Sequence, residues 1–260
     1  MPAPLAHHRA PTLSVSVALG MLSICMGLAA SANAQSAATV SALFVPNRLS
    51  AKGALTLTVH YSNELGLLSP LRRSVMRLPA RMGMSIPALR SCSPAHLRAF
   101  GDKGCPRQSK IGSGHAIIEA RAGSQLIGES VVLGIFLGPP GNDLQPTFEV
   151  LGQGRTPLLE RMVLDGTVIP GKAPYGETIV MNIPPIPTLA LEPDATLPSL
   201  SLTIGTSVHR LAPTANTVEV PDSCPAGGFP FAGEFTYADG STSSSLATAP
   251  CPLKGSRHAL

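Results

Sequence analysis

Proline and glycine interrupt this chain so often that long surface helices do not fit it. There are 26 Pro and 25 Gly among 260 residues. Proline inside a helix removes a hydrogen bond and clashes with the preceding turn, and interior glycine weakens regular structure. Charged residues are 13% of the chain, against about a quarter in ordinary soluble domains. Short strands joined by Pro/Gly turns give such a composition.

The N-terminus follows a different pattern. His8 and Arg9 make a short basic start, and an uncharged apolar run follows from about Leu13 to Ala30. It ends in Ala32-Asn33-Ala34, ahead of Gln35 and Ser36. A basic start, an apolar stretch and an A-x-A site are what signal peptidase needs, so residues 1–34 are expected to be a signal peptide. Three other readings compete with it. An uncleaved anchor is weakened by Gly20, Gly27 and the serines. A lipoprotein anchored through Cys25 is disfavoured by Leu22-Ser23-Ile24 before it, and an ordinary buried helix by the extreme N-terminal position. Cleavage leaves about 226 residues, enough for one large β-sandwich or two small domains.

Cleavage also removes Cys25 and leaves Cys92, Cys105, Cys224 and Cys251. An even count in an exported chain implies disulfides. Four cysteines allow three pairings. The local one, Cys92–Cys105 with Cys224–Cys251, is preferred, each bridge contributing roughly 3 kcal/mol in the chain-entropy account. A zinc site lacks both a C-x-x-C pair and a nearby histidine pair. Net charge is +4, and only Arg72-Arg73 are adjacent basic residues, so no block suits nucleic acid.

Leu55, Leu57, Val59 and Tyr61 alternate with Thr56, Thr58, His60 and Ser62, a strand period with His60 on the polar face. Residues 71–89 mix apolar positions with Arg72, Arg73, Arg77 and Arg81, and Arg90 follows; they read as guarded strand edges, with an anionic-surface contact as the alternative. Ser93-Pro94 and Gly101 bracket a short helix carrying Leu97 and Phe100 on one face, clamped by the proposed Cys92–Cys105 bridge. Ile111-Gly112-Ser113-Gly114 reads as a turn or bulge entering a strand, without a P-loop lysine or βαβ context.

Residues 131–137 read as a strand buried on both faces, ended by Gly138-Pro139-Pro140-Gly141-Asn142. Further strands are expected over 147–151, 160–164, 178–183 and 200–204, with Asp165-Gly166 as a hairpin turn. Residues 35–40 are expected to fray. Residues 183–198, with five prolines, read as a crossover loop or polyproline edge, and as the only credible domain boundary. Phe229, Phe231, Phe235 and Tyr237 alternate toward an Asp239-Gly240 hairpin turn, with Gly233 as a possible bulge and the Cys224–Cys251 bridge closing its open end. About ten short strands and one short helix point to an all-β fold: a two-layer antiparallel β-sandwich over 35–252 with one disulfide-clamped helix, and a disordered tail over 253–260.

Chemistry is sparse. Gly205-Thr206-Ser207-Val208-His209 is similar to a nucleophile elbow but lacks its final Gly and its strand–turn–helix setting. Glu149 and Glu160 are candidates only as any acidic residues are. Tryptophan is absent and aromatics are 4%, which lowers sugar and nucleic-acid platforms.

The ordered series Cys92, Leu97, Gly104-Cys105-Pro106, Ser109 and Ile111-Gly112-Ser113-Gly114 resembles a known pattern. It continues through Tyr175-Gly176, Ile183-Pro184-Pro185-Ile186 and Thr203-Ile204-Gly205, then Cys224-Pro225, Phe231 to Tyr237, Asp239-Gly240 and Cys251. These residues resemble the secreted β-rich proteins of soil actinobacteria, especially Solirubrobacter relatives. The resemblance spans nearly the whole mature chain and implies export, two local disulfides and a β-rich fold. It carries no activity and no site.

The chain is therefore expected to be an exported, non-enzymatic interaction module of the cell envelope or extracellular space. No catalytic residue, cofactor, metal, nucleic-acid partner or membrane span after cleavage is expected. Two alternatives stand beside it. One is a secreted hydrolase assembled from distant residues with His60, His115 or His209 as base. The other is a small-ligand carrier, whose mark is a large apolar cavity.

Overall fold

The computed structural model describes residues 36–63, 68–86, 90–154, 161–188, 191–205 and 217–252. The expected signal peptide over 1–34 and tail over 253–260 lie outside these residues. So do Glu160, His209 and the rest of the elbow-like segment beyond Gly205.

The fold is all-β and antiparallel. Its strands are β1 (Ser36–Val45), β2 (Lys52–Asn63), β3 (Leu71–Pro79), β4 (Gly83–Ser85), β5 (Lys110–Ala122), β6 (Gln125–Leu137) and β7 (Thr147–Gln153). They continue as β8 (Arg161–Pro170), β9 (Tyr175–Asn182), β10 (Thr196–Gly205), β11 (Thr217–Glu219), β12 (Phe229–Tyr237) and β13 (Thr242–Ala249). One α-helix, α1 (Pro94–Phe100), precedes β5.

The strands form one continuous sheet in the order β1, β2, β10, β5, β6, β7, β8, β9, β3, β12, β13. Short β11 continues the ladder from the start of β2 and pairs with β4. The sheet curls until its ends meet: β1 lies alongside β13, and the Val40 amide donates to Ser245 Oγ at 3.0 Å. The two layers are thus opposing halves of a single sheet. Strands β3, β9, β8 and β7 face β2, β10, β5 and β6 across one apolar interior.

Period-two alternation builds that interior. Leu55, Leu57, Val59 and Tyr61 of β2 are buried, while His60 is exposed on the opposite face. Phe229, Phe231, Phe235 and Tyr237 of β12 are all buried. Phe44 meets Phe229 edge-on at 5.4 Å between ring centroids, and Tyr61 meets Phe235 at 5.1 Å.

Residues expected to fray over 35–40 instead enter β1, which pairs in unbroken register with β2 from Ser36↔Asn63 to Val45↔Ala54. Its alternation is masked by alanines and serines; Val40 and Phe44 carry the buried face. Asp165-Gly166 is not a turn but lies inside β8, opposite Glu149 and Phe148. A Cβ at Gly166 would stand 2.0 Å from the Phe148 ring, so this glycine exists to admit an aromatic ring. Gly233 is not a bulge against β13, since that ladder runs without a shift from Phe229 to Thr236. It leaves room for the Phe235 ring, which a Cβ would approach to 2.7 Å. Val132 is exposed within a stretch expected to be buried on both faces.

Other local expectations match the fold. Ser93 caps α1 by accepting from the His96 amide at 3.3 Å, and Gly101 ends it at φ 66°. Cys92–Cys105 and Cys224–Cys251 are bonded, with Cα atoms 5.4 and 5.8 Å apart. The first clamps α1 against the outer face of the sheet, where Leu97 packs with Phe136, Leu151 and Val163. Gly112 and Gly114 sit at the start of β5, with a register shift between Lys110 and Gly112. Asp239 Oδ1 accepts from the Ser241 amide at 2.9 Å in the final hairpin turn. The arginine-rich stretch is not a strand edge as expected, because β3 is paired on both sides, with β12 and with β9; three of its arginines instead meet carboxylates, Arg72–Asp194 at 2.5 Å, Arg77–Glu234 at 2.7 Å and Arg81–Asp222 at 2.6 Å. Among the described residues, no helix is long and apolar enough to cross a membrane.

If β1 closes the sheet, Phe44→Ala costs about 3–5 kcal/mol, whereas Leu43→Ala on its exposed neighbour costs less than about 0.5 kcal/mol. Urea unfolding of the two variants measures this; equal, small effects would mean β1 is not structural.

Candidate functional site

The same alternation that forms the core leaves part of it unfilled. A cavity of about 110 Å³ lies between the two halves of the sheet. Facing strands supply its wall: Ala116 and Ile118 of β5, Val131 and Leu133 of β6, Leu164 of β8, and Met181 of β9. A second cavity of about 110 Å³ lies further along the same interior, lined by Leu57, Ile135, Phe148, Val168, Ile179 and Ile204 among others. Ser74, Val150, Met181, Leu200 and Leu202 line both. Leu200 and Leu202 point inward yet are only half-buried, as expected of side chains that border empty space.

Different segments cover the two ends. Over the first cavity lies the proline-rich crossover, with Ile186, Pro187 and Ala195 in the lining. It is held to the sheet: Ile183 donates its amide to Arg72 O and Ala195 to Ile186 O, each at 2.8 Å, and Arg72 pairs with Asp194 on the crossover. Over the second lie Met84 of β4, Ile86 just after it, and Pro146. The crossover expected as a plain loop is therefore part of the cavity wall.

The lining is uncharged throughout. Its polar side chains are Ser74, Thr147 and Tyr61. Burial, with Tyr237 beside it, pushes the Tyr61 hydroxyl well above its ordinary range, so it stays neutral. An uncharged, mainly apolar cavity of this kind suits apolar guests; an engineered hole of about 150 Å³ accepts benzene.

The candidate histidines lie elsewhere. His60 and His115 are exposed on the outer face, where β10 places Ser199 opposite His60 and Ser201 opposite His115. Ser201 Oγ is 3.3 Å from Thr58 Oγ1. Ser93 Oγ lies 3.0 Å from His96 Nδ1, but this serine is the helix cap. Among the described residues, no group of three or more His, Cys, Asp or Glu is placed to hold a metal ion.

Glu149 is more unusual than its sequence context suggests. It faces outward from β7, opposite Asp165 on β8, and is 3% exposed. Its Oε2 is buried without a hydrogen-bond partner. Burial, then the hydrogen bond and negative charge of Asp165, push its carboxyl up to about 8, against an opposing pull from Arg98. Arg98 stands 4.0 Å from Asp165, and Arg161 donates to the carbonyls of Arg98 and Ala99 at 3.2 and 3.0 Å. The pair thus sits beside the C-terminal end of α1. No signal in the sequence distinguishes Glu149 from other acids, because its burial comes from a ladder partner and a helix distant in sequence.

No protein-family profile, curated protein or solved structure matches the chain.

Glu149 binds its proton more tightly folded than unfolded, so its contribution to stability is full below about pH 4.5 and is lost as pH rises through about 8. Melting temperature is expected to fall across that window. Glu149→Gln should remove most of the slope and stabilise the protein by about 1–3 kcal/mol at pH 8. An unchanged slope in thermal melts of the variant would exclude Glu149 as its source.

Proposed function

We propose that this protein is an exported, non-enzymatic carrier that binds a small apolar ligand inside its β-sheet wall, at the cell envelope or outside the cell. One observation carries the reading: an uncharged cavity bounded by facing halves of the sheet, lined by inward leucines Leu200 and Leu202 that are only half-buried. Protein interiors normally close around such side chains to crystal-like density. A cavity kept open at the centre of the core, with a segment pinned across its end, suits a guest.

Export is supported by the A-x-A site ending at Ala34 and by the two disulfides. Strand β1 starts at Ser36, so cleavage after Ala34 leaves every described strand intact. The exported chain is expected to begin at Gln35, which N-terminal sequencing or intact mass checks. Kinship with the secreted β-rich proteins of soil actinobacteria belongs to the same proposal, supported by the ordered motif series from Cys92 to Cys251.

The binding test uses N-phenyl-1-naphthylamine, a dye that brightens in apolar surroundings, with the purified mature chain. Saturable binding is expected. Ala116, buried opposite Val131 and Leu200, has a small side chain at the cavity wall. Ala116→Phe should fill that space and weaken dye binding at least tenfold, with the far-ultraviolet circular dichroism spectrum unchanged. No saturable binding, or full binding by a folded Ala116→Phe protein, would overturn the reading.

A further inference from the structure

The two cavities share five lining residues, and this common stretch of wall, their waist, says more about the guest than either cavity alone. Ser74, Val150, Met181, Leu200 and Leu202 border both. Along β6 the lining passes from Val131 and Leu133, in the first cavity, to Ile135 and Leu137, in the second. Along β7 it passes the other way, from Phe148 through shared Val150 to Gly152. The strands are antiparallel, so both describe one axis running the length of the sheet.

We infer that the two cavities are the ends of one channel, and that its ligand is a linear hydrocarbon chain with an uncharged head group. This rests on the carrier reading above and makes it specific. The length follows from the strands. Val131 to Leu137 covers about 20 Å at a strand rise near 3.3 Å, or about 15 Å along the axis at a usual barrel tilt. With carbon–carbon bonds near 1.5 Å in a zigzag, that is an extended chain of about a dozen carbons. A compact ring system would occupy one cavity and leave the other empty; a chain fills both through the waist. The head group is uncharged because neither cavity has a Lys, Arg, His, Asp or Glu in its lining, and a lone buried charge is strongly unfavourable. Ser74 at the waist and Tyr61 in the first cavity are hydroxyls able to meet a hydroxyl or carbonyl oxygen of the guest.

The experiment is a displacement series: straight 1-alkanols of about six to sixteen carbons against N-phenyl-1-naphthylamine on the mature chain. Affinity is expected to rise by about fourfold per added methylene, up to about twelve carbons, and then level off. Two plugs in the second cavity alone, Ile179→Phe and Val168→Phe, sit on paired positions of β9 and β8. Each should stop the rise near six carbons and leave hexanol affinity within twofold of wild type. If wild-type affinity already levels off near six carbons, the channel is refuted while the carrier reading stands. The same follows if either folded plug weakens short and long alkanols equally. If the dye itself does not bind, both fail together. The wild-type series needs no variant, so misfolding of a plug leaves the inference open to refutation.

Discussion

Everything in this molecule depends on one seam. A long antiparallel sheet has two exposed edges and one apolar face, and neither is tolerable in water. Here the sheet curls until β1 lies alongside β13, so that its two edges shelter one another and its apolar face turns inward. Just inside the seam, rings of β1 and β2 pack against rings of β12: Phe44 against Phe229 and Phe231, and Tyr61 against Phe235 and Tyr237. Three of these four pairs are edge-to-face, a geometry that lets rings pack where strands arrive from opposite ends of the chain. Once the seam is closed, the inner face becomes an enclosed interior.

That enclosure explains why the interior is partly empty. A two-sheet sandwich can slide its layers together until side chains interlock. A wall that closes on itself has a circumference fixed by its strands, and its side chains fill the inside only as far as they reach. Around Ala116 and Gly152 the inward side chains are small, and the space they leave is not recovered by movement of the wall. The proline-rich crossover covers one end, pinned through Arg72 and Asp194, and Met84, Ile86 and Pro146 cover the other.

The outer face has its own economy. Helix α1 is too short to hold its shape alone. Its cap, its disulfide and Leu97 fix it over Phe136, Leu151 and Val163, and the same packing buries Glu149 beside Asp165. An acid hidden this way stays protonated well above its ordinary range and makes one corner of the structure sensitive to mildly alkaline conditions.

The sequence by itself determined the local pieces, because their causes are local. Alternation in residues 54–62 and 229–237 set which side chains turn inward. Ser93 and Gly101 set the ends of the helix and Asp239-Gly240 the last turn, while cysteine count and spacing favoured the local pairing, one of three, that the structure bonds. The tertiary structure decided what depends on distant partners. Gly166 looks like a turn residue until Phe148 is laid across it, and β1 looks like a frayed end because alanine and serine hide its two inward anchors. The closed wall and its channel follow from strand order, which pairs β2 with β10 and β3 with β12 across more than a hundred residues. No periodicity encodes that order: side-chain alternation says which face is buried, and only the ladder of backbone hydrogen bonds says against what.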